Sequence, residues 1–179
     1  MANKDKVVHI VLFEPEIPAN TGNIMRTCVA AKMVLHLIEP LGFILDDRHL
    51  KRSGLDYLED LEFIVHDDLN AFYETMDGIC YYISRYGQNT YSDVNYMETD
   101  SDVYLMFGKE STGIPLEVLQ KHQNRVLRIP MNPDSRSLNL SNCVAIVGYE
   151  VLRQKGFSGL SQSEVQKGAN WLNEFNHID

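Results

Sequence analysis

Short β-branched apolar runs alternate with stretches of helical apolar spacing along most of the chain. Val7–Phe13 reads as a buried strand. A loop punctuated by Pro15 and Pro18 follows, and Asn20 is placed to cap a helix to about Lys32, with Ile24, Cys28 and Ala31 on one face. Further strands are expected at Val34–Ile38, Glu62–His66, Ile79–Ser84, Val103–Phe107 and Val126–Pro130. Asp67 and Asp68 can start a short helix to about Met76, and Pro115 suits the start of one through Lys121. A longer helix is expected from about Asn139 to Lys155, apolar at Val144, Val147 and Val151.

Strands alternating with helices predict an α/β fold, a mostly parallel sheet with helices on both faces. Ligands in such sheets bind beyond the carboxyl ends of the strands. The loops after the first, fifth and sixth predicted strands carry the unusual residues, so the site is expected there. Residues 1–157 read as one domain. Residues 158–179 differ: Ser161–Glu164 has the form of a capping box, and Val165, Ala169, Leu172 and Phe175 follow at helical spacing. They are expected to form a helical extension of the same domain, docked on it or on a second subunit.

The 179 residues are enough for one real core, and no apolar run approaches the roughly 20 residues of a membrane span. The N-terminus, MANKDKVVHIVLF, lacks the features of a signal peptide, so the expected location is the cytoplasm. The cysteines at 28, 80 and 143 form no CxxC pair and the six histidines show no ligand spacing, so no metal is expected. The net charge of −9 argues against nucleic-acid binding by overall charge. It leaves room for a local basic patch, and Arg48, Lys51 and Arg52 are the densest one, although a solvated helix face would look the same.

Three clusters hold the candidate chemistry. Asn20-Thr21-Gly22-Asn23-Ile24-Met25-Arg26 can be a cap and a turn, with Arg26 on the helix surface, or part of a site. Leu105-Met106-Phe107-Gly108-Lys109-Glu110-Ser111-Thr112-Gly113-Ile114-Pro115 ends a strand in a loop where Gly108 permits a close approach to a ligand and Gly113 a positive φ. It matches neither a Walker A loop nor GxGxxG. Residues 129–142 form a proline-fixed loop rich in hydroxyls and amides, which could be helix caps or a ligand-shaped surface.

Together, NTGNIMR, MFGKESTGIP and RIPMNPDSRSLNLSNCV resemble the three motifs of the SPOUT-class RNA methyltransferases. With residues 14–23 and 42–57 the chain looks most like the tRNA (cytidine/uridine-34) 2′-O-methyltransferase branch, over about residues 7–157. The resemblance implies a parallel α/β sheet with a C-terminal trefoil knot, a homodimer, S-adenosyl-L-methionine as methyl donor with S-adenosylhomocysteine as product, and a tRNA anticodon stem-loop as partner. It implies a cofactor pocket built from Ile83, Gly108, Ile129, Met131, Ser137 and Leu138. Arg26 matches the family arginine, read here as a fork for the target phosphate or developing alkoxide, since a guanidinium stays protonated. Asn20, Glu110, Ser137 and Asn139 match positions that hold the loop and target nucleotide. Tyr149 matches a tyrosine near the target base, though it also reads as a core residue. Arg136 is a candidate for phosphate or loop anchoring. Methylation of another RNA such as rRNA, or a non-catalytic RNA-binding module on the same fold, are the rival readings.

Overall fold

The computed structural model describes residues 7–45, 61–98, 100–168 and 170–172. Its elements are β1 (Val8–Phe13), α1 (Pro18–Ala31), β2 (Val34–Ile38), β3 (Phe63–His66), α2 (Leu69–Thr75), β4 (Gly78–Ile83), β5 (Asn89–Thr90), β6 (Asp102–Phe107), α3 (Leu116–Lys121), β7 (Val126–Arg128) and α4 (Leu140–Gln154). The seven strands form one parallel sheet in the order β3-β2-β1-β6-β4-β7-β5.

Side chains alternate across the central strands, so each face of the sheet has its own core. Ile10, Leu12, Leu105 and Phe107 pack with Ile24 and Cys28 of α1 and with Val144, Val147 and Val151 of α4. Val11, Phe13, Tyr104 and Met106 face Phe72 of α2 and Val118 and Leu119 of α3. Within this second core His9, His36 and His66, from three adjacent strands, form a row. His9 Nδ1 lies 2.9 Å from His36 Nε2, and His36 Nδ1 lies 2.9 Å from His66 Nε2. Tyr104 stacks on His9, and Phe72 meets His36 and His66 edge-on. Burial and the neighbouring histidines hold His36 far below the usual imidazole range, down to about 3.

The strand between β4 and β5 arrives last. β7 pairs with both, although residues 84–88 join those two directly. The join crosses β7 closely: a Cβ on Gly87 would lie 2.5 Å from the Leu127 carbonyl carbon, so only glycine fits.

Several expectations need correction. α1 begins at Pro18 with Ile17 as its N-cap, so Asn20 is not the cap but lies in the first turn, where its N–H donates to Ile17 O. Proline suits this first position because its missing N–H would have no helical partner there. β5 was not expected, because two polar residues carry no apolar alternation. Residues 158–168 form turns rather than the helix suggested by the Ser161 box. Ser161 Oγ donates to Ser163 O, and Glu164 accepts from Gln166 N and Lys167 N, so local turn bonds take the groups a cap would use. Val165 and Leu172 are exposed, while Phe157 and Leu160 pack against the core.

Candidate active site

Four loops converge beyond the carboxyl ends of the strands, where a parallel sheet offers a crevice. They follow β1, β4, β6 and β7, and they enclose a cleft of about 450 Å³. That volume lies within the roughly 300–1,000 Å³ of small-molecule sites. Its apolar wall comes from Ile83, Phe107, Ile129, Met131 and Leu138. Asn20, Glu110, Ser111, Ser137 and Asn139 supply polar groups.

The loops after β1 and β6 are fastened to each other by three acidic side chains. Glu14 pairs with Lys109. Glu16 accepts from Ser111 N at 2.9 Å and Ser111 Oγ at 2.8 Å, and these bonds hold its carboxyl below the ordinary range. Glu110 crosses the other way and accepts from Glu16 N at 2.9 Å, Ile17 N at 3.3 Å and Asn20 Nδ2 at 2.9 Å. The two backbone N–H groups that point at it belong to the residues leading into α1, so a negative group sits beside that helix's positive end.

The network continues into the third loop. Asn139 Nδ2 donates to Asn20 Oδ1 at 2.9 Å, while Asn139 Oδ1 accepts from Ser141 N at 2.9 Å and so caps α4. The backbone N–H of Ser141 can only donate, which fixes both amides: Asn139 donates to Asn20, and Asn20 donates to Glu110. The acceptor-only carboxylate closes the chain. One polar thread therefore joins the N-terminal ends of α1 and α4 to the loop after β6.

Gly108 lines the cleft, and its missing side chain also serves the loop itself. A Cβ there would lie 2.0 Å from the Gly113 carbonyl carbon, so its space is taken by the loop's own return rather than by a ligand. Gly113 adopts φ +76°, and its N–H donates to Lys109 O at 2.9 Å. The loop is a tight hairpin, which explains both glycines.

The cleft thus gathers Asn20, Ile83, Gly108, Glu110, Ile129, Met131, Ser137, Leu138 and Asn139. Arg26, Arg136 and Tyr149 do not line it within one chain. Arg26 is exposed on α1, in a stripe with Ala19, Asn23 and Ala30, and Tyr149 is exposed on α4 beside Ile146. Arg48, Lys51 and Arg52 lie outside the described residues. Sequence reasoning missed Glu16, Ser111 and the loop after β4, where Ser84, Arg85 and Tyr86 line the cleft. The carboxyl-end rule would have marked that loop had it been applied to every strand.

A family profile, the SpoU rRNA Methylase family, matches residues 7–149. The chain belongs to the SpoU rRNA methylase family. An Escherichia coli (strain K12) relative named tRNA (cytidine(34)-2′-O)-methyltransferase is 46% identical over 155 residues, 86% of this chain and 97% of that one. A solved chain from Bacillus anthracis superimposes with a TM-score of 0.84 at 46% identity, covering 88% of this chain and 99% of that chain. Another, solved in work on 2-OH methylation of C/U34 on tRNA, gives a TM-score of 0.77 at 40% identity, with 85% and 98% covered. The methylase cleft holds no group of three or more potential metal ligands, nor does any other part of the described residues. No helix among the described residues is long and apolar enough to cross a membrane.

Proposed function

We propose that this SpoU-family chain transfers a methyl group from S-adenosylmethionine to the ribose 2′-hydroxyl of the wobble nucleotide, position 34, of tRNA, as a cytoplasmic homodimer. The observation that carries this reading is the convergence of the three motif loops on one cleft, tied together by the Glu110–Asn20–Asn139 thread. The cleft fits the donor in size and in chemistry, with apolar walls for a purine and amide and hydroxyl groups for its polar end. When bound, S-adenosylmethionine supplies a methyl already activated by a sulfonium charge. The chain must then align a ribose hydroxyl and hold its developing charge. Ile83, Ile129, Met131 and Leu138 enclose the donor, and Ser137 and Asn139 orient the nucleotide. A trefoil knot accords with the placement of β7 between two strands that are already joined. The segment from 158 onward extends the domain.

Arg26 acts at the cleft of the partner subunit in this reading. Its stripe of small neighbours on α1 and the exposed Ile146 and Tyr149 of α4 suit a face packed against a second copy. A guanidinium brought there serves as a fork for the phosphate or alkoxide of the target, with Tyr149 near the base and Arg136 on the RNA backbone. Arg48, Lys51 and Arg52 contribute positive charge for the anticodon stem-loop in the same reading.

Methyl transfer to unmodified tRNA, with the product mapped by nuclease digestion and mass spectrometry, tests the reaction. A 2′-O-methyl at nucleotide 34 is expected, and methylation of rRNA alone overturns the substrate. The shared site is tested by mixing two inactive variants, Arg26→Ala and Met131→Arg, the second blocking the cleft. Mixed dimers should regain activity, because one cleft keeps both an open pocket and a partner arginine. No recovery after verified subunit exchange would refute action across the dimer.

A further inference from the structure

The loop between β4 and β5 carries an arginine and a tyrosine that the cofactor cleft does not use up. Arg85 is exposed and forms no ion pair among the described residues. Tyr86 is 70% exposed, and its ring meets no other ring among the described residues. An aromatic side chain this open contributes little buried area to the fold. The position is specific. Tyr86 lines the cleft and also a second hollow of about 230 Å³. Leu116, 61% exposed, lines that hollow together with the amides of Gln88, Gln120 and Gln123.

The geometry points to this hollow as a subsite for one unpaired base of the RNA substrate, the neighbour of the methylated nucleotide, stacked on Tyr86 with its phosphate at Arg85. The inference rests on the tRNA-methylation reading above. Three features favour a nucleobase over another occupant. Tyr86 borders both the hollow and the cleft, so a strand that reaches the cleft comes close to the ring. A lining of one aromatic ring, apolar side chains and three glutamines matches a base, which offers a π-face and a donor–acceptor edge. The adjacent guanidinium supplies a positive group in a chain of net charge −9. Gly87, locked against Leu127, holds the backbone between Tyr86 and Gln88 in a fixed path, so the platform is preformed.

The test compares Tyr86→Ala, Tyr86→Phe and Arg85→Gln with the wild-type chain. The dissociation constant for tRNA, measured by filter binding, should rise about tenfold in Y86A, as expected for one lost stacking contact, and stay near wild type in Y86F. Calorimetry with S-adenosylmethionine alone should give a constant within twofold for Y86F, and in Y86A a smaller loss than the one for tRNA, because Tyr86 also lines the cleft. R85Q should lower the slope of log affinity against log salt by about 0.7, the value for one phosphate contact on a single strand. A Y86W chain should show indole fluorescence quenched by an anticodon stem-loop. Wild-type tRNA affinity in Y86A overturns the subsite. So does a loss of S-adenosylmethionine affinity in Y86A without RNA as large as the loss for tRNA, which would make the ring a cover for the donor. A wild-type chain that methylates no tRNA overturns the underlying reading, whereas an active wild type matched by Y86A overturns the subsite alone.

Discussion

Replacing Glu110 by glutamine tests the polar thread with almost no change in shape. Three N–H groups converge on this carboxylate: Glu16 N, Ile17 N and Asn20 Nδ2. A glutamine keeps one acceptor oxygen. Asn20 must still donate, because Ser141 N fixes the direction of the thread through Asn139. The glutamine oxygen therefore turns towards Asn20 and Ile17, and its NH2 meets the N–H of Glu16, donor against donor. One part-buried donor loses its partner, at about 1–3 kcal/mol. The remaining bonds lose their charge assistance, and the α1 terminus loses a favourable anion, worth about 0.3–1 kcal/mol. The expected total is about 2 kcal/mol. Urea unfolding of wild type and E110Q at one pH measures it, read from the midpoint shift at a common slope. Asn139→Ala in both backgrounds should show coupling above roughly 0.5 kcal/mol, because the two residues share one chain of bonds. An E110Q midpoint equal to wild type, with additive double-mutant energies, would refute the thread.

Two further perturbations have definite signs. Gly108→Ala forces a Cβ into the Gly113 backbone, so the hairpin must open; S-adenosylmethionine affinity by calorimetry should fall at least about tenfold, with about 1–3 kcal/mol lost in stability, and unchanged binding would contradict the contact. His36 titrates near 3 in the folded chain against 6.5 as its ordinary value, so the unfolded chain binds a proton that the folded chain refuses between those values. Stability should therefore decline as pH falls from about 6.5 towards 3, by up to about 1.4 kcal/mol per pH unit from this residue. His36→Phe, which binds no proton in either state, should flatten the slope by that amount in urea titrations between pH 6 and 4; an unaltered slope would show that His36 does not carry it.

The parallel sheet and most element positions were legible because buried strands such as Val8–Phe13, Val34–Ile38 and Val103–Phe107 are near-continuous apolar runs. Those are the signals that two-sided burial produces. β5 was not legible, since its two residues pair through backbone groups with β7, and such pairing leaves no apolar pattern. The Ser161 box misled for a related reason: a capping signal has value only when the helix behind it has a surface to bury, and Val165 remains in solvent. At the site, the motif residues identified Asn20, Glu110 and Asn139 but not how they connect. Their hydrogen bonds span about a hundred residues of sequence, which no local pattern encodes. The same holds for Glu16 with Ser111, where an exposed-looking acid proves to bind the opposite loop.

The seating of β7 between two strands joined by five residues also sets an order of assembly during synthesis. β1 to β4 and β6 can leave the ribosome and pair, yet β5 must wait for β7, and the wall bearing Ile129, Met131 and Leu138 follows β7. A nascent chain halted before that point has no complete pocket to offer the methyl donor. Ligand binding therefore reports the finished molecule, and it adds its free energy only to chains whose final third has found its place.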